Sequence, residues 1–277
     1  MSHIREKENL LKLKSYISKL DGNTSIKTIN DILNELVPKN SYNKNMIGVI
    51  VSGGTRFKSR PGYMPSLNTI VVSKDSLINI SNETANILAK EFSYDDKEKL
   101  SSYYQMFSLL HEVEHGYQFL IAKNALKFPY SEVKEGYENI FNSVLQSKGI
   151  IPNPIKDLRC SISFFKYQAN AYSFVLERNA EVEASNDTSL LARENNDDEI
   201  ADIFDALTLA FQFIGYEDNE KGCMYQTYLG ILRKRLFDKI KKDNNMSEDE
   251  RLRFGLSISN ETRGKLVKRI ENSRIKL

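Results

Sequence analysis

Cysteine, histidine and tryptophan are the scarce residues of this chain: two, three and none among 277. Cys160 and Cys223 are too few to build a disulfide framework, and neither belongs to a C-x-x-C pair. They read as free thiols of a reducing compartment. Long apolar runs are missing too, and no stretch approaches the roughly 18 residues that a membrane span needs. The opening segment MSHIREKENLLKLKSY is charged and lacks the unbroken apolar core of a signal peptide. These absences predict a cytoplasmic protein without a membrane partner. Blocks of one charge sign are absent as well: 39 Lys and Arg face 37 Asp and Glu, for a net charge of +2, so nothing calls for nucleic acid. The densest basic stretch, RKRLFDKIKK from Arg233 to Lys242, has Leu236, Phe237 and Ile240 between its charges. It reads as a helix with one solvated basic face. Internal repeats and low-complexity tracts do not occur. What remains, 40% apolar and 27% charged residues, is the composition of a globular protein with a substantial core.

Against that scarcity, two of the three histidines stand four residues apart in His111-Glu112-Val113-Glu114-His115. The surrounding run, SYYQMFSLLHEVEHGYQFLIAK, has Met106, Leu109, Leu110, Val113, Tyr117 and Leu120 at spacings of three and four. That is the apolar stripe of an amphipathic helix. On a helix, positions i and i+4 project from one face, so both imidazoles can hold one ion while Glu112 stands beside the open coordination position. This is the HExxH arrangement of a zinc hydrolase. A pair of histidines decorating a solvated helix face is the plainer alternative.

The rest of the chain reads as a short strand region embedded in helices, a mostly α-helical α+β architecture. Glu8 to Leu20 and Ser25 to Val37 form two helices, with Ser25 as cap of the second and Pro38 beyond its end. Met46 to Gly54 is β-branched and closes on paired glycines, so it reads as a strand. Thr55 to Ser66, with Arg60-Pro61-Gly62, reads as a turn-rich loop, and Asn68 to Ser73 as a second strand. Helices are expected near 83–92, 99–123, 131–148, 162–187, 197–213, 222–241 and 259–274, separated most clearly at Gly149 to Pro154 and Glu217 to Gly222.

A catalytic zinc takes three protein ligands and keeps a fourth position for water. His3 lies near the terminus, so a carboxylate is expected as the third ligand. The segment YSFVLERNAEVEASN, Tyr172 to Asn186, offers Glu177 and Glu181 four apart on one helix face, with Glu183 pointing elsewhere. One of the pair can bind metal while the other orients a ligand histidine. Both can equally belong to an exposed charged face.

With these elements in place, the chain resembles the gluzincin metallopeptidases, whose third ligand is a glutamate on a later helix. The resemblance covers the strand Asn68 to Ser73, the HEVEH helix and the glutamate helix. Glu181-Val182-Glu183-Ala184-Ser185-Asn186 is similar to the E-x-E-A form of that later element. Glu177-Arg178-Asn179-Ala180-Glu181 is similar to an E-x-x-x-acid form, in which Glu181 would be the partner of a ligand. The resemblance favours Glu181 over Glu177 as the third ligand. It also implies a zincin-like core over 46–190, preceded by N-terminal helices over 1–45. A C-terminal helical region over 191–277 would pack on the core as one globular unit. More than sixty residues separate His115 from Glu181, so SEVKEGYENIFNSVLQ is expected to form an inserted helix. In proteins of this kind an edge strand before the motif helix pairs with an extended peptide, a place that NTIVVS would take.

The implied activity is that of a zinc-dependent metallopeptidase, an endopeptidase acting on a peptide or protein. Zn²⁺ held by His111, His115 and Glu181 would activate a water, with Glu112 as general base. Tyr117, Tyr167 and Tyr172 are candidate donors to the developing oxyanion, and the letters select none of them. The alternative is a regulatory or interaction protein that keeps the zinc-peptidase fold, acting by binding or by cleaving one dedicated partner. Retention of Glu112 speaks for an active site, because a scaffold that needs only metal has no use for an unliganded base.

Overall fold

A computed structural model describes residues 10–39, 46–53, 61–65, 67–123, 158–213 and 223–243, and scattered positions between 246 and 257. Side chains are not described at 158–175, 212–213 and 223–232. The helices expected near 131–148 and 259–274 lie outside the described residues, as do the loops 149–154 and 217–222.

The first helical element winds more tightly than an α-helix: Lys12–Lys19 is 3₁₀, burying Leu13 and Ile17. Helix α1, Ile26–Leu36, follows its cap, with Ser25 Oγ accepting from the Thr28 amide at 3.0 Å. Its Ile29, Ile32, Leu33 and Leu36 form the buried stripe. Three strands come next: β1 at Gly48–Ser52, β2 at Gly62–Met64 and β3 at Thr69–Ser73. Their spatial order is β1-β3-β2, with β1 parallel and β2 antiparallel to β3.

This topology corrects the expectation for Asn68 to Ser73. That strand is the centre of the sheet, paired on both sides, and has no free edge to offer a peptide. Its residues explain the placement: Ile70 and Val72 are fully buried, and a strand apolar enough to be covered suits the interior of a sheet. The edge on that side is β2, in the stretch expected to be a loop. Gly62-Tyr63-Met64 lies between prolines, which suits a short edge strand.

Helix α2, Lys74–Phe92, leaves β3 without a connecting loop and starts nine residues earlier than expected. Ser73 caps it, Asp75 favours its N-terminal dipole, and Ser93 ends it in the left-handed conformation at φ 58°. Helix α3, Lys97–Ala122, carries the HEVEH motif and is capped by Asp96, which accepts from the Lys99 amide at 2.9 Å. It is the central helix, packed against α2, the sheet, the N-terminal helices and the next helix, α4. Leu100, Tyr103, Met106, Leu109, Leu110 and Val113 are all fully buried.

Helix α4, Leu158–Glu194, continues past both expected ends of 162–187. Three residues, with Asn196 left-handed at φ 59°, join it to α5, Asp198–Phe213, which packs along it. Helix α6, Cys223–Lys242, packs on α5 and reaches α2, where Arg233 grips Glu91 with two bonds of 3.1 and 2.6 Å. The fold is thus mostly helical with one small sheet. Among the described residues, the main buried apolar cluster runs from Leu10 to Ile240, and a small second one joins Ala122 to Leu176. Among the described residues, no helix is long and apolar enough to cross a membrane.

Candidate metal centre

Helices α3 and α4 pack together, and at their contact His111 and His115 meet Glu177. His111 Nε2 and His115 Nε2 are 3.1 Å apart, and Glu177 Oε2 lies 3.2 Å from the first and 3.4 Å from the second. These three donor atoms form a nearly equilateral triangle. Zinc at about 2.0–2.1 Å from each ligand of a tetrahedron requires donors about 3.3–3.4 Å apart. The triangle therefore has close to the dimensions of one face of a zinc tetrahedron, and the group could hold a metal ion. The imidazole side chains are 14% and 10% exposed, that of Glu177 55%, so the group opens to solvent on the glutamate side.

The local electrostatics suit a cation. Burial opposes a charged His115, but the hydrogen bond and charge of Glu177, the charge of Glu112 and the bond to Gln118 push it up to about 9. Burial opposes the ionisation of Glu177, yet hydrogen bonds and charge from both histidines hold its carboxyl well below the usual carboxylate range. Without metal, a proton and an anion thus share the place where a cation would sit. Burial pushes the Glu112 carboxyl up; the two histidines pull it back, Glu177 adds to the rise, and the Tyr63 amide lowers it. That amide, on β2, donates to Glu112 Oε2 at 2.7 Å. The bond leads away from β3, so the side of β2 turned from the sheet faces the motif helix at Glu112.

The two candidate carboxylates differ in where they stand. Glu177 is the one that reaches both imidazoles, whereas Glu181, expected as ligand, is outside the triad. Both share one face of α4, and the helix crosses α3 so that the turn with Glu177 is the one that meets the histidines. Glu181 is half-buried, and its desolvation, reinforced by Glu177 and opposed by His111, His115 and Arg233, pushes its carboxyl up to about 7. Glu183 is buried but belongs to no metal-capable group among the described residues.

Of the three tyrosines, Tyr117 donates to the backbone oxygen of Leu36 at 3.1 Å and so has another engagement. The side chains of Tyr167 and Tyr172 lie outside the described residues. Three contributors were not singled out from the sequence: the Tyr63 amide, Gln118 and Gly116. Gln118 has one available signal, its position three residues after His115 on the same helix. The Tyr63 amide has none, because a backbone donor leaves no mark in the letters.

A polar cleft of about 1260 Å³ is lined by Asp21, Asp95, Asp96, Lys97, Lys99 and Asp197 among others. It lies at the other end of α3, roughly 15 Å or more from the histidines at 1.5 Å per residue. It takes no part in the triad. Compared with protein-family models, curated proteins and solved structures, the chain matches none.

Proposed function

We propose that this protein is a zinc-dependent metallopeptidase of gluzincin type, with His111, His115 and Glu177 as ligands and Glu112 as general base. The triangle of donor atoms at 3.1, 3.2 and 3.4 Å carries the reading. Two imidazoles with one carboxylate suit zinc, whereas magnesium and calcium prefer oxygen ligands alone. Three protein ligands with an open side describe a catalytic site; structural zinc is normally closed by four. Zinc held there would supply Lewis-acid polarisation of a carbonyl and a water acidified to a pKa of about 7.

The chain's own residues supply the rest. Glu112 is buried, and burial raises its carboxyl above the ordinary value, the direction that favours its taking a proton and returning it to a leaving amine. Glu181, charge-coupled to His111 and His115, acts from outside the ligand set. The sheet beside the motif helix supports a zincin-like core, and the Tyr63 amide of β2 holds the Glu112 carboxylate in place. We place the enzyme in the cytoplasm, with a peptide or protein as substrate.

The test is Glu112→Gln, assayed on a proteome-derived peptide library together with metal analysis. About one zinc per chain is expected in both forms, with cleavage lowered by about 10²–10⁴-fold in the variant. Equal cleavage by both forms would remove Glu112 from the reaction. Absence of zinc from the wild type would remove the reading altogether.

A further inference from the structure

Gln118 is fully buried one turn beyond His115, and its carboxamide makes three hydrogen bonds. Oε1 lies 3.1 Å from His115 Nδ1, while Nε2 lies 3.2 Å from the Leu176 backbone oxygen and 2.7 Å from Asn179 Oδ1. The orientation of this amide follows from chemistry. A backbone carbonyl only accepts, so the NH₂ end must face Leu176, and the oxygen is left for the imidazole. An oxygen without a proton requires a donor opposite it, which fixes a proton on His115 Nδ1. A neutral His115 then presents its lone pair at Nε2, the atom 3.4 Å from Glu177 Oε2. The two residues that anchor the NH₂ end, Leu176 and Asn179, flank Glu177 on α4.

We infer that Gln118 is the positioning residue of this site: it sets the tautomer of His115 and joins the imidazole-bearing helix to the turn carrying Glu177. The inference rests on the proposed metal site. It couples the three donors, since α4 cannot shift along α3 without breaking the amide's bonds to Leu176 and Asn179. His111 has no equivalent device among the described residues, because its Nδ1 is buried without a hydrogen-bond partner. Among the described residues the two histidines are thus unequal, and His115 is the one held by a partner at Nδ1.

The test compares wild type, Gln118→Leu and Gln118→Glu for zinc affinity by chelator competition and for the His115 ring by ¹⁵N NMR of the zinc-loaded protein. Leu keeps the volume and loses all three bonds. Glu keeps an acceptor for Nδ1–H, and Asn179 can turn its own NH₂ toward it. Gln118→Leu is expected to weaken zinc binding about 10–100-fold and to lose the exchange-protected Nδ1 proton. Gln118→Glu should keep that proton and recover most of the affinity. A filler of the core would behave otherwise: equal weakening by both variants, or none by Gln118→Leu, overturns the inference. If the wild type itself binds no zinc, the metal site fails; if only Gln118→Leu behaves as wild type, the metal site stands and this assignment fails.

Discussion

Glu177 reaches the imidazoles with half of its side chain in solvent, while Glu181 sits one turn further along α4 with its carboxyl raised to about 7. Zinc binding should separate the two. Loss of a directly coordinating carboxylate leaves only two protein ligands, so Glu177→Ala is expected to leave the protein without zinc after dialysis. A residue acting through another ligand usually matters by 10–100-fold, and Glu181→Ala should retain zinc at raised concentration. Metal content of the two variants decides it, and the opposite order would restore Glu181 as ligand. The ambiguity was inherent in the sequence. Residues i and i+4 share a helix face, so spacing names both and ranks neither. What ranks them is where α4 crosses α3, a property of packing between segments far apart in the chain. His111, His115 and Glu112 were legible for the converse reason, because all three lie on one helix and its geometry alone relates them.

Helix α3 and the sheet come unusually close immediately after His115, and Gly116 is what permits it. A Cβ built at Gly116 would fall 2.5 Å from Ile47 Cδ1 and 3.6 Å from a ring atom of Tyr63, whose amide holds Glu112. Alanine there would help the isolated helix by about 1 kcal/mol, but overpacking against a fully buried neighbour costs about 1–3 kcal/mol. Gly116→Ala is therefore expected to lower stability modestly, by about 1 kcal/mol, and Ile47→Val to lower it by about 0.5–1.5 kcal/mol. Since Val lacks the clashing methyl, the double variant should be more stable than the sum of the two losses predicts. Strict additivity in denaturant unfolding would show that the sheet and helix do not press on each other here. At this scale, legibility followed the strength of local signals. Ser25 and Pro38 bracket α1, and α5 begins within a residue of its expected start. Strand β2 was illegible because three residues in a Pro/Gly setting carry no alternation; it exists through pairing with β3. The central place of β3 was illegible too, since an apolar strand of five residues does not say which neighbours it will take.

Among the described residues, the main apolar cluster connects the N-terminal helices, the sheet and the α4–α5–α6 group, and the candidate metal site lies where α3 and α4 meet. Metal binding and folding are therefore linked, with pH acting on both. In the metal-free protein His115 is raised from 6.5 to about 9 against the pull of its burial, chiefly by Glu177. A group raised in the folded state stabilises it fully below the unfolded value and loses that contribution as pH climbs through the folded one. Metal-free stability attributable to this pair should thus decline between about pH 6.5 and 9. Zinc reverses the sign, because a ligand imidazole must give up its proton before it binds metal. Over the same window zinc affinity should rise, by up to about tenfold per unit, and flatten above pH 9. The stabilisation by a fixed excess of zinc follows RT ln(1 + [L]/Kd), so it grows with each of those steps. The measurement is the difference in melting temperature between zinc-loaded and chelator-treated protein, taken at pH 6.5, 7.5, 8.5 and 9.5. A difference that widens to about pH 9 and then levels is the expected result. A difference independent of pH would mean that zinc does not displace the proton shared by His115 and Glu177.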